Sequence, residues 1–233
     1  MALTKVIGAG LGEVKGASSA DLTIDAPTDN ATLTLKAGSS DSGAEGAFAV
    51  FIQNTTNKWQ MGMNTDNSFR LYSYGASAEV LNMDSTGAMT LPLQPAFSVN
   101  ASSKQTNIAI NTETQVTFDV ERFDRNLDFG SNVFTAPVTG LYQLNCRLRL
   151  DDVDSASAYY QIYIYTSNTV YTPFTFDANE YSSDIDYLSG GGAVLADMDA
   201  NDTAQIKVYQ SGGTAQTDIA YGYDMHFSGY LVA

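Results

Sequence analysis

The sequence is poor in the residues that most chemistry needs. Among 233 residues there is one cysteine, one histidine and one tryptophan, and eleven Lys and Arg stand against 26 Asp and Glu, a formal net charge of −15. A single thiol, Cys146, excludes an internal disulfide and fits synthesis in a reducing cytosol. Phosphate binding needs clustered bases, so nucleic acid is not an expected partner. The imbalance grows along the chain: after Arg149 come twelve acids and one base, Lys207, a surface that favours solubility and repels membranes and polyanions. No run approaches the ~20 apolar residues of a membrane span. Met1 to Val6 opens without an apolar h-region, so no signal peptide is expected.

Catalytic and metal chemistry is equally short of parts. A Ser–His–Asp or Cys–His arrangement would have to use His226, which lies near the end of a strand pattern and reads as structural, on an outward or interface face. Cys146 alternates with Leu and Tyr on an apolar face, as an inert core thiol does. One His and one Cys make a zinc site improbable. Asp151, Asp152 and Asp154, then Asp184 and Asp186, then Asp197, Asp199 and Asp202 could offer oxygens to Ca²⁺. They match no EF-hand loop and read better as solvated turns. No carboxylate pair stands out for glycoside hydrolysis. The expectation is a protein that is not an enzyme and holds no cofactor, with Ca²⁺ the one ion for which donors exist.

What the chain does have is 44% hydrophobic residues, 11% aromatic and only 16% charged, below the usual quarter. Small polar and β-branched residues fill the remainder, which suits sheets and turns. Residues 1–30 are rich in Gly, Ala and Ser and read as an extended arm; Gly8, Gly10 and Gly12 lack the spacing of a phosphate loop. Residues 31–91 read as a thin β-rich collar or shaft, from Leu33 and Leu35 through Ala47–Ile52, Phe69–Tyr74, Val80–Met83 and, after an Asp84–Gly87 turn, Ala88–Leu91. So thin a region needs neighbouring chains to complete its core. Pro92 and Pro95 mark the start of residues 92–233. There Tyr142, Leu144, Cys146, Leu148 and Leu150 share one strand face and Gln143, Asn145, Arg147, Arg149 and Asp151 the other. A last strand places Ile219, Tyr221, Tyr223, Met225, Phe227 and Leu231 together. Val116–Phe118–Val120, Tyr159–Tyr165 and Ile206–Val208 add strands, and no window has a helical period. The class is all-β.

Two stretches carry a resemblance. Phe134-Thr135-Ala136-Pro137-Val138-Thr139-Gly140-Leu141-Tyr142-Gln143-Leu144 resembles the central motif of the complement C1q and tumour-necrosis-factor-like superfamily, with Leu144 in place of the usual Phe. His226-Phe227-Ser228-Gly229-Tyr230-Leu231-Val232 resembles its terminal strand, and Phe118, Asp124 and Phe129 look like its earlier anchors. The join, Asn82–Gly87 and Leu91–Ser98, is similar to the passage into such modules in bacteriophage fibre and virion proteins. The resemblance implies a ten-strand jelly roll that forms a homotrimer, with Phe118, Phe134, Tyr142, Leu144, Phe227 and Tyr230 in core or trimer packing.

Crowded tyrosines, among them Tyr163, Tyr165, Tyr171 and Tyr181, suit subunit packing or a surface patch for host glycans. The expected function is a homotrimeric bacteriophage virion structural protein: capsid decoration (cement), head fibre or tail-fibre component. Its N-terminal part would anchor to capsid or tail proteins, with the jelly roll outward; it would be made in the host cytoplasm and located in the virion. The alternatives are a tail adhesin for a host glycan or receptor, a glycan-processing spike enzyme, and a secreted bacterial cytokine-like binding module.

Overall fold

The computed structural model describes residues 46–233; the expected arm, the glycine cluster at 8–12 and the Leu33–Leu35 strand lie outside them. Alternation of apolar and small polar residues produces strands almost throughout. The only helical elements among the described residues are two 3₁₀ turns, Ala178–Glu180 and Gly222–Asp224.

The first five strands, β1 (Ala47–Gln53), β2 (Thr56–Met63), β3 (Phe69–Ser73), β4 (Ala78–Met83) and β5 (Met89–Thr90), form one antiparallel meander in chain order. Asn54 and Thr55, both at positive φ, make the two-residue turn between β1 and β2, whose twist matches that of paired strands. The Asp84 carboxylate closes the turn before β5, accepting from the Thr86 and Ala88 amides at 2.8 and 3.0 Å.

The remaining strands are β6 (Ala96–Asn100), β7 (Thr114–Gln115), β8 (Val120–Asp124), β9 (Phe129–Gly130), β10 (Val133–Thr135), β11 (Gly140–Val153), β12 (Ser157–Thr166), β13 (Val170–Phe176), β14 (Ile185–Met198), β15 (Thr203–Gly212), β16 (Asp218–Ile219) and β17 (His226–Leu231). They form two facing sheets with five-strand paths, β14-β11-β17-β6-β8 and β13-β12-β15-β10-β9, with β16 added beside β11 and β7 beside β15. Apart from the β9–β10, β12–β13 and β16–β17 connections, the chain crosses from sheet to sheet, and its first and last strands, β6 and β17, lie side by side. This is a jelly roll. Val116 and Phe118 are buried in the expected alternation, but beyond the Val116 amide, which donates to the Ile206 carbonyl at 3.0 Å, 117–119 belong to no strand. There the chain passes from β15, which β7 pairs, to β6, which β8 pairs.

The core is centred on rings. Phe97 of β6 stacks on Phe134 of β10 with centroids 4.6 Å apart and on Phe129 of β9 at 5.4 Å, and meets Phe227 of β17 edge-on at 4.9 Å. Tyr142 packs on Phe134 and anchors its hydroxyl by donating to the Val138 carbonyl at 2.7 Å. Gly229 lets β17 pass close to this cluster: a Cβ there would sit 2.7 Å from Leu144 and 2.8 Å from Phe97. At the far end, burial alone would raise the Asp154 carboxyl, but amide donors from Ala215, Ala156 and Thr214 outweigh it and hold the group below the ordinary carboxylate range. Tyr160, Ser157, Thr217 and Gln210 bond to one another beside it.

Two sequence expectations need correction. The outward position expected for Asp151 is in fact buried, because Lys104 and Arg149 close over its carboxylate at 2.8 and 2.7 Å; the neighbouring Asp152 takes φ 56° without breaking the register of β11 on β14. The last strand is shorter than its alternation suggests. Gly222, at φ 68°, turns the chain through a 3₁₀ turn, so Tyr221 and Tyr223 stand in solvent rather than sharing the face of Phe227.

Replacing Phe97 with Ala removes the ring touching both sheets. It should cost about 3–5 kcal/mol of unfolding free energy, measured by chemical denaturation; a loss under about 1 kcal/mol would contradict this account of the core.

Candidate functional site

With the jelly-roll interior filled by apolar side chains, any functional surface lies on the outer faces of its two sheets. Strand parity fixes which residues stand there.

On the first sheet, cross-strand register aligns Phe123, Ser98, Ser228, Asn145 and Ala193 in one row and Ala96, Tyr230, Gln143 and Leu195 in the next. The centre is small and polar. Phe123, Tyr230 and Leu195 are about half exposed, at 51, 49 and 52%. Arg147 and His226 form the next row, and burial, helped by the Arg147 charge, pushes the His226 imidazole below its ordinary value.

On the second sheet, Tyr159, Gln161, Tyr163 and Tyr165 of β12 stand outward beside Lys207 and Tyr209 of β15. Tyr163 meets Tyr165 edge-on at 5.7 Å and donates to the Gln161 side-chain oxygen, and Tyr159 faces Tyr209 at 6.0 Å. The Lys207 ammonium lies 4.0 Å from the Tyr165 ring centre and 3.3 Å from Glu113. Hydrogen bonding to Glu113 pushes the Tyr165 phenol up to about 12.

The candidate packing residues divide by parity. Phe118, Phe134, Tyr142, Leu144 and Phe227 are buried within the sandwich, whereas Tyr230 is on the outer face. Of the candidate surface tyrosines, only Tyr163 and Tyr165 come together. Tyr171 lies opposite Ile164 and is partly buried against the core. Tyr181 lies beyond β13 against Phe176. Tyr159, Tyr209, Lys207 and Glu113 complete the tyrosine face. The alternation of Gln205, Lys207 and Tyr209 against Ile206 and Val208 was the sequence signal for part of it.

The residues with chemical potential are held apart. Cys146 faces inward and His226 outward on neighbouring strands of one sheet. Burial pushes the Cys146 thiol up to about 11. Asp154 is taken by backbone amides; Asp184 accepts from Ser155, and Asp202 from Ser167, Asn168 and the Asp199 amide. No group of three metal-ligating side chains occurs among the described residues. No helix among them is long and apolar enough to cross a membrane.

No family model matches the chain, and no curated protein matches it. Among solved structures it is similar to the globular domain of a zebrafish complement 1qA protein, at 20% identity over 60% of this chain and 98% of that one with a TM-score of 0.44. It is also similar to murine APRIL, at 12% identity over 60% of this chain and 99% of that one, TM-score 0.44. Likeness at this level carries no functional inference. The jelly-roll assignment stands on sheet order and register.

In the native protein Cys146 should resist a thiol-exchange reagent until the jelly roll unfolds, because it is both buried and protonated at neutral pH. Rapid labelling without denaturant would show that β11 and β14 are not packed as described.

Proposed function

We propose that the chain is a homotrimeric structural protein of a bacteriophage virion, non-catalytic, whose jelly rolls pack about a threefold axis through the outer face of the β14-β11-β17-β6-β8 sheet. The observation that carries this reading is that face. Its centre of Ser98, Ser228, Asn145 and Ala193 is flat enough for a second copy to approach. Phe123, Tyr230 and Leu195 supply apolar area where the face would otherwise be wet. A closed cyclic assembly covers such a surface on every subunit.

The virion setting is supported by the resemblance at Asn82–Ser98 and by the composition: low charge, abundant small polar residues and one buried thiol. Capsid decoration, head fibre and tail fibre all fit. The chain should be found in density-banded phage particles in multiples of three. Its absence from particles would overturn the virion assignment.

Charge introduced on this face should disassemble the protein. Asn145→Arg or Leu195→Asp should reduce the sedimenting mass to that of one chain while leaving the strand signal in circular dichroism. Unchanged mass in both variants would place the contacts elsewhere.

Acid should weaken the fold beneath this face. His226 has a folded-state value below the 6.5 of the free side chain, so above that pH both states are neutral and it contributes nothing. Between 6.5 and the lower folded value the unfolded chain takes up the proton first, so the fold loses stability as pH falls. His226→Gln should remove that part of the acid sensitivity.

A second reading, a glycan-binding adhesin, is favoured by the Tyr159–Tyr163–Tyr165–Tyr209 face, since flat rings with polar tips suit sugars. It requires that purified protein bind host cells and that Tyr163→Ala with Tyr165→Ala abolish the binding.

A further inference from the structure

The β1–β5 meander is a sheet with two unlike faces. Register puts Ala47, Ala49 and Phe51 of β1, Trp59, Met61 and Met63 of β2, Phe69 and Leu71 of β3, Leu81 and Met83 of β4 and Met89 of β5 on one side. That side carries no charged residue. The opposite side has a settled covering of its own. Arg70 lies over the Phe48 and Tyr72 rings at 4.9 and 5.5 Å and pairs with Glu79 at 3.2 Å, and Tyr74 donates to Gln60 at 2.8 Å.

No described residue covers the apolar side. Phe51, Trp59, Met61, Met63, Phe69, Met83 and Met89 are each between 37 and 58% exposed, and Phe51, Trp59, Met61 and Leu71 line a shallow, wholly apolar hollow. A single sheet with one apolar face is half of a two-layer structure and does not hold by itself.

We infer that this face is closed by the same face of two further copies of the chain, three collar sheets packing about one axis. The inference rests on the threefold reading above and names a second contact surface for it. Two observations select copies of this chain as the occupant. The first is charge. At a net −15, copies repel one another over most of their surface, and this face is a region where that repulsion has no local source. A partner chosen by electrostatic complementarity would find nothing to complement.

The second is area. Four strands about 4.8 Å apart and about seven residues long, at about 3.3 Å per residue, make a face of roughly 400 Å². That is near the largest apolar patch, about 300–600 Å², that a monomer leaves open. Each copy contributes about half of the roughly 800 Å² per partner of a standard interface, too little to hold a separate partner but enough to add to a contact between copies already joined through their jelly rolls. The methionines lend themselves to this use, because their unbranched side chains adjust to a symmetric contact.

Trp59, the chain's single tryptophan, stands in this face and reports on it alone. The experiment measures Trp59 emission, acrylamide quenching and sedimenting mass together on the full-length protein and on Met61→Glu. The reactivity of Cys146 serves as a separate check that the jelly roll is folded. The expected result is a trimer with blue-shifted, poorly quenched Trp59. In Met61→Glu the emission should shift to the red and quenching should rise severalfold while Cys146 stays protected.

A trimer whose Trp59 is as quenchable as the free amino acid would overturn the inference and leave the jelly-roll trimer standing. A trimer whose Trp59 stays shielded in Met61→Glu would overturn it too. A monomer with shielded Trp59 would mean that another part of the same chain covers the face, and a monomer with open Trp59 that no copy does. Either monomer would sink the threefold reading along with the inference.

Discussion

The stack of Phe97 on Phe134 holds together parts of the chain that local structure keeps apart. Phe97 stands on the first strand of the jelly roll, Phe134 on the opposite sheet and Phe227 on the last strand, and all three rings meet. Closing loops of such length costs conformational entropy before any contact offsets it, so a large, specific aromatic cluster is an effective place to recover it. The features that resemble a known motif become intelligible around this point. Gly229 allows close passage of β17, and Tyr142 fills the space beside Phe134 while its hydroxyl finds the Val138 carbonyl. Pro137 lies in the turn into β11.

Satisfying the interior leaves the exterior unfinished. Two surfaces remain that a solitary chain has no use for: the small-centred outer face of the first jelly-roll sheet and the apolar side of the collar. They differ in chemistry. The jelly-roll face is mainly polar at its centre and offers shape, with His226 and Arg147 at its margin. The collar face offers apolar area alone. An assembly using both would draw specificity from the first and adhesion from the second.

Much of this was legible in the sequence because strand period is a local property. The alternation from Tyr142 to Leu150 reads directly as an inner face, and the Asp84–Gly87 turn signal falls between β4 and β5. Parity alone also places Tyr230, three residues after Phe227, on the outside. What was not legible depends on long-range contact. Nothing local says that Asp151 is buried, since that follows from Lys104 and Arg149 closing over it. Gly222 was the one visible sign that the last alternation breaks. Tyr171 and Tyr163 look alike in sequence and part company only because β13 lies at a sheet edge with its own register shift. The Met61–Trp59 face was hidden for another reason: collar strands apolar on one side and mixed on the other alternate only weakly.

The central claim is that copies of this chain cover the faces that its own fold leaves open. Native mass spectrometry of the full-length protein at neutral pH, over a wide concentration range, tests it most directly. The account predicts a dominant species of three times the chain mass. A single-chain mass at every concentration would contradict it.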